Sequence, residues 1–310
     1  MNKENYLKIE RVSKTYFGSP ISLDNANFCM SKNEKICVLG EDKAGKTTLL
    51  RVLAGLESFE GNIFLEGEDI NNIALKDRNF VINVDNGFFK LKNIKNNLIY
   101  PLKLRKCSNE YILKRLNYVC DVFDIGGVLE KKHKKLSILE KAKVELAKIF
   151  IRESDLYLID NPLLKLNEED RKTLFEILKG EIFKVKGAVI YATNLLGECF
   201  ASNVGVMHFS QFLQFGNQSE ITQNPKCVMA LKLLNPNFLF YEGVLIKRQQ
   251  AYYILYDQRE LQINCKILSD NFVDEKIVFS FGENSDIING INISAKCYVF
   301  DFYTEKSIVR

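Results

Sequence analysis

Gly40-Glu41-Asp42-Lys43-Ala44-Gly45-Lys46-Thr47 decides how this chain of 310 residues is read, because its spacing is that of the G-x-x-x-x-G-K-[ST] loop. In such a loop the backbone N–H groups close around a polyphosphate, the lysine reaches its outer oxygens, and the hydroxyl faces a magnesium ion. The flanks have the order of elements that this chemistry needs. Lys35-Ile36-Cys37-Val38-Leu39 is a short apolar run that predicts a buried strand, and Thr47 to Leu56 predicts a helix closed by Gly55. Strand, loop and helix in that order aim the positive end of the helix dipole at the phosphates. Gly40, Glu41, Asp42, Lys43, Ala44, Gly45, Lys46 and Thr47 therefore imply a bound nucleoside triphosphate, ATP or GTP, with Mg²⁺.

A carboxylate partner for the metal is needed, usually at the end of a neighbouring strand. Leu156-Tyr157-Leu158-Ile159-Asp160 has that form, so Asp160 is the candidate metal carboxylate beside Thr47. Between the two sites, Asn109 to Phe123 predicts a helix, with Ile112, Leu116, Val119 and Phe123 on one face. After Asn235-Pro236-Asn237 the texture changes to short alternating runs, Ala251 to Tyr256, Glu260 to Ile267, Lys276 to Phe281 and Lys296 to Tyr303, which predict a small β domain.

Composition excludes several classes. With 46% hydrophobic and 26% charged residues the chain reads as a folded globular protein long enough for two domains. The net charge of +4 is a mild excess. Lys131-Lys132-His133-Lys134-Lys135 has no interleaved aromatics, so it reads as a solvated helix face or a connector, and no nucleic-acid partner is expected. Met1 to Tyr6 lacks a charged segment leading into an apolar one, and no apolar run is long enough to span a bilayer, so the chain is expected inside the cell. Eight cysteines without a C-x-x-C pair, and only two histidines, predict buried free thiols and no metal cluster.

Taken in order over residues 5 to 235, these landmarks resemble the ATP-binding subunits of ABC transporters. Tyr16 stands where that family has an aromatic that stacks on adenine. Thr48-Leu49-Leu50-Arg51 and Ala54-Gly55-Leu56 look like its first helix, with Thr48 beside the nucleotide. Asp77-Arg78 through Val84 resembles the strand before its glutamine loop, and Leu136-Ser137 stands at the signature position. Val144 to Ala147 resembles the helix that follows, and Ala188 to Thr193 the strand before the switch residue. Val206 to Gly216 and Ile221 to Pro225 look like its closing hairpin and helix.

The resemblance implies an α/β P-loop nucleotide-binding domain over 1–235, with a helical subdomain at about 88–150. A shortened all-β domain over 236–310 is similar in position to the OB-like regulatory domain of maltose-type and related sugar-import ATPases. ATP and Mg²⁺ are the implied cofactors. The implied partners are transporter membrane subunits, met by a groove on the helical subdomain, and a second ATP-binding subunit in a homo- or heterodimer; Phe88, Phe89 and Leu91 either line that groove or belong to the ordinary core. In that head-to-tail pair each ATP lies between one subunit's phosphate loop and the other's signature. The implied location is the cytoplasm, peripheral on the inner face of the cell membrane.

The chain departs from the family at the cutting groups. Asn161 replaces the glutamate base after Asp160, Asn194 replaces the switch histidine, and Asp85 stands where the glutamine is expected. The signature reads Leu136-Ser137-Ile138-Leu139-Glu140, keeping Ser137 but losing both glycines, and the following Leu164-Lys165-Leu166-Asn167 has Asn where Asp is usual. General-base catalysis is worth about 10²- to 10⁴-fold, roughly 3 to 5 kcal/mol of barrier. The expectation is thus nucleotide binding with impaired hydrolysis. The alternative, a fully competent ATPase motor of a sugar-type importer, shares the fold and partners and differs in kcat. A DNA-associated ATPase of the same superfamily would need long coiled-coil heptads, which are absent from the sequence.

Overall fold

Short apolar runs that end in a polar residue or glycine become the strands of a parallel sheet. The computed structural model describes residues 5–83, 88–89, 91–234, 241–248, 251–256, 259–263, 270–281, 297–301 and 306–307. The chain opens with β1 (Asn5–Thr15), β2 (Ile21–Ser31) and β3 (Lys35–Gly40), followed by α1 (Lys46–Leu53), β4 (Glu60–Leu65), β5 (Glu68–Asp69) and β6 (Phe80–Ile82). Three helices come next, α2 (Ile94–Leu104), α3 (Asn109–Phe123) and α4 (Ile138–Phe150), then β7 (Leu156–Asp160), α5 (Glu168–Lys184) and β8 (Ala188–Thr193). Beyond these lie β9 (Asn203–His208), β10 (Gln211–Asn217), α6 (Gln218–Gln223) and α7 (Val228–Leu234). The last strands are β11 (Tyr241–Arg248), β12 (Ala251–Tyr256), β13 (Arg259–Ile263), β14 (Lys276–Phe281) and β15 (Cys297–Asp301).

Packing divides the chain into two units, Met1–Ala201 with Phe209–Gln211, and Ser202–His208 with Phe212–Arg310. In the first, β2-β1-β4-β5 form one sheet, and β3, β8, β7 and β6 lie side by side in that order in a second. The second is parallel: Leu39 pairs with Thr193, Asp160 with Ala192 and Ile82 with Leu158. β8 is buried throughout, and β3 and β7 are buried except at one end, which is why they read as unbroken apolar runs rather than as alternation. Because the strands run the same way and in register, Gly40, Asp160 and Thr193 arrive at one edge of the sheet. That edge is where open α/β sheets bind ligands.

α3 has the bounds and the buried face that its spacing predicts, Ile112, Leu116, Val119 and Phe123. α1 ends earlier than expected, at Leu53, and Gly55 with φ 73° closes it while Leu56 N–H donates to Arg51 O at 2.9 Å. Stacked rings tie the helices to the sheet: Phe123 on Phe150 at 5.9 Å and Phe150 on Tyr157 at 5.8 Å. The basic run lies between α3 and α4 and includes a single 3-10 turn over His133–Lys135; its lysines are exposed, His133 is half-buried, and Lys131 pairs with Glu140 at 2.9 Å. Cys37 is buried as expected but Cys29 is exposed, because it lies on the outward side of β2.

The second unit contains the antiparallel sheet β13-β12-β11-β14-β15, with a core of Leu245, Ile254, Leu261, Ile277, Phe279 and Val299. Within this unit α7 places Val228 and Leu231 against Phe300 of β15, and Ser307 N–H donates to Lys226 O at 2.8 Å. By packing, Ser202–His208 and residues 212–234 fall with the β-rich part, whereas the sequence boundary is drawn at 235. Among the described residues no helix is long and apolar enough to cross a membrane.

Phe150→Ala removes the middle ring of the Phe123–Phe150–Tyr157 stack. It should lower the unfolding free energy by about 3–5 kcal/mol, measured by urea denaturation.

Candidate nucleotide site

Gly45 precedes α1 in the left-handed region, with φ 98°, and gives the helix no side-chain cap. Lys43 is also left-handed, with φ 65°, so the loop curls between the end of β3 and the start of α1. An uncapped helix start leaves first-turn N–H groups for an anion, and their partial charges favour one. Lys46 is only 6% exposed, and its Nζ donates to Gly40 O at 2.8 Å and Glu41 O at 2.7 Å. Burial lowers its pKa, while Asp160, Asp42 and Glu41 pull the other way and favour the ammonium. The loop therefore holds a cation against its own carbonyls, ready to exchange them for phosphate oxygens.

Thr47 Oγ1 donates to Asp160 Oδ2 at 2.6 Å. A hydroxyl and a carboxylate oxygen meeting at a helix start that lacks a side-chain cap form a donor set suited to Mg²⁺, which takes few protein ligands and completes its shell with phosphates and water. The donor set, the buried lysine and the uncapped helix all fit Mg-ATP. Those residues would hold it, the metal supplying charge neutralisation at the outer phosphates.

Around this centre stand Asn161 and Asn194. Asn161 directly follows Asp160 in the left-handed region, with φ 39°, its N–H donating to Ala192 O at 2.9 Å and its carbonyl accepting from Leu164 N–H at 3.3 Å. Asparagine tolerates that conformation better than most residues. Asn194, just past β8, donates from Nδ2 to Asp42 Oδ1 at 2.5 Å, while its Oδ1 is buried without a partner among the described residues. A buried carboxylate secures this turn: Glu198 Oε2 accepts from Tyr191 OH and Thr193 Oγ1, each at 2.7 Å.

The start of α4 is built in the opposite way to that of α1. Ser137 Oγ accepts from Glu140 N–H at 3.1 Å, and Glu140 Oε2 accepts from Ser137 N–H at 2.7 Å, a reciprocal box that occupies donors at both positions. Lys131 and the Ser137 N–H hold the Glu140 carboxyl below the usual range. Asn167 caps α5 by accepting from Asp170 N–H at 2.9 Å.

The structure thus brings together Lys46, Thr47, Asp160, Asp42 and Asn194, with Ala44 buried inside the loop and Thr48 buried in the first turn of α1. Ser137 lies at the start of α4, bonded to that helix's own first turn. Tyr16 is half-buried at the end of β1 with Lys14 Nζ 5.1 Å from its ring centre. Asp85 lies outside the described residues. Sequence reasoning missed the Asp42–Asn194 pair and also Asn83, whose side chain bonds the main chain of Asp160. The only trace of Asn83 is a polar residue closing the apolar run Phe80-Val81-Ile82.

The fold and this loop define a P-loop nucleotide-binding protein. Residues 23–164 match the model of the family described as ABC transporter. The chain is 27% identical over 253 residues to an Fe(3+) ions import ATP-binding protein of Pasteurella multocida, covering 80% of this chain and 72% of that one. It is 30% identical over 223 residues to a molybdate/tungstate import ATP-binding protein of Pyrococcus abyssi, covering 71% and 64%. Among solved structures, a dimeric ATP-binding cassette in a post-hydrolysis state with ADP and Pi superposes with a TM-score of 0.62 at 19% identity, over 68% of this chain and 98% of that one. The chain is an ABC transporter ATP-binding subunit, and its cofactors are ATP and Mg²⁺.

Lys46→Ala should weaken Mg-ATP binding by about 100-fold, the loss of charge-assisted bonds worth roughly 3 kcal/mol. A nucleotide titration by calorimetry reads it, and unchanged affinity would remove the loop from the site.

Proposed function

We propose that this chain is the ATP-binding subunit of an importer, holding Mg-ATP at a dimer interface and hydrolysing it slowly. The observation that carries the reading is Asn161, an amide directly after the metal carboxylate Asp160, where a proton acceptor is needed to polarise water. Asn194 supports it, because a neutral amide engaged with Asp42 carries no positive charge toward a γ-phosphate. The Ser137–Glu140 box supports it from the other side: the helix start that would meet a partner's nucleotide already serves this chain's own carboxylate. Binding residues and cutting residues have therefore parted company.

The pair is a homo- or heterodimer of ATP-binding subunits, set against membrane subunits on the inner face of the cell membrane. The helical segment of about 88–150 offers the docking groove, where Leu91 is 88% exposed and Phe89 packs edge-on to Tyr100 at 4.7 Å. The nucleotide-binding domain spans 1–235, and the β-rich remainder, 236–310, has an OB-like regulatory role. Relatives named for import of Fe(3+) ions and of molybdate or tungstate support the importer direction. Selection of the transported substrate is left to the membrane and receptor subunits.

Asn161→Glu restores an acceptor but places a glutamate in a left-handed conformation that costs about 1–2 kcal/mol. Against a gain of up to 10⁴-fold for a general base, phosphate release should still rise by about 10²-fold when the partner subunit has an intact glycine signature. Steady-state ATPase assays read this, and brisk turnover by the purified unaltered chain would overturn the reading.

A further inference from the structure

Among the described residues, the parallel ladder between β6 and β7 stops two residues short of the metal carboxylate. Its last paired residues are Ile82 and Leu158, and Asn83 N–H then reaches Leu158 O at 3.3 Å. On its other side Asp160 pairs in register with Ala192 of β8. On the β6 side, where no further described residue pairs with β7, the main-chain N–H and carbonyl of Asp160 are met by the side chain of Asn83. Asp160 N–H donates to Asn83 Oδ1 at 2.6 Å, and Asn83 Nδ2 donates to Asp160 O at 2.9 Å.

A primary amide carries a donor and an acceptor in one plane, as a peptide group does. The Asn83 amide acts as one more rung of the ladder, and reversing its oxygen and nitrogen would set donor against donor and acceptor against acceptor. No aliphatic side chain at this position can do the same. The rung clamps the backbone of the residue whose Oδ2 lies 2.6 Å from Thr47 Oγ1. Mg²⁺ demands near-ideal octahedral geometry, so small errors in a ligand's position are costly. Hydrogen bonds that orient metal ligands typically matter 10- to 100-fold in metal affinity.

We propose that Asn83 is a positioning residue for the metal side of the nucleotide site: its amide fixes Asp160 so that the carboxylate and the Thr47 hydroxyl present a preset pair of oxygens to Mg²⁺. The inference rests on the Mg-ATP reading of the site and makes no use of hydrolysis. Asn83→Leu keeps the shape and removes both bonds. In the full chain it should weaken ATP binding in the presence of Mg²⁺ by about tenfold or more, while ATP binding in EDTA, which relies on the loop and Lys46, stays within about twofold. Calorimetric titrations of ATP with and without Mg²⁺ read both numbers, after thermal melting has shown the variant folded; if it does not fold, Asn83→Ala carries the same test. Equal affinity in Mg²⁺, or an equal loss in both conditions, overturns the positioning role. Failure of the unaltered chain to bind ATP in either condition would instead sink the nucleotide reading itself.

Discussion

The hydrogen bond from Thr47 to Asp160 is the contact on which the nucleotide site depends. It joins residues 113 apart in sequence, and it exists only because β3, β8 and β7 run parallel and in register, so that the loop after β3 and the last residue of β7 reach one edge of the sheet. Each strand contributes almost nothing polar until its final residue. The apolar bodies hold the sheet between its covering helices, and the ends carry the chemistry. A slip of one residue in β7 would turn Asp160 to the other face and leave the hydroxyl without its partner.

Two helix starts show how a small change of sequence alters what a similar backbone offers. At α1 a left-handed glycine supplies no cap, so the helix start stays available to an anion. At α4 a serine and a glutamate three residues on satisfy each other. The second arrangement is a sound way to start a helix and a poor way to welcome a phosphate, because the glutamate already holds the serine N–H and adds negative charge. Asn161 has a comparable double character: it suits a left-handed turn well and serves poorly as a base.

Much of this was legible in the chain because it depends on neighbours in sequence. The bounds of α3 and β7 follow from apolar spacing, and those of β8 from its resemblance to a family strand. The loop from Gly40 to Thr47 is legible because its residue types are demanded at fixed offsets. Where the reading strayed it did so at a helix end: α1 stops before Gly55 because the closing turn takes two residues. Beyond β10, α7 buries Val228 and Leu231 on Phe300, a contact between distant parts of the chain. Nothing local in α7 announces a strand some seventy residues further on, about half a domain away.

By itself, then, the sequence determined that a phosphate loop sits between a buried strand and a helix, that an acid ends another buried strand, and that the residues following that acid and the last parallel strand are amides. Those facts reside in short windows, where chemistry and spacing are read together. Only the tertiary structure decided that Asn194 bonds Asp42, that Glu198 anchors the turn through Tyr191 and Thr193, and that Asn83 continues the ladder beside Asp160. Asn194 and Asn83 bond residues brought close by strand register rather than by chain proximity, and Glu198 is made a buried anchor by the way its turn packs on the last parallel strand. A side chain's partner across a sheet is set by packing that no local pattern encodes.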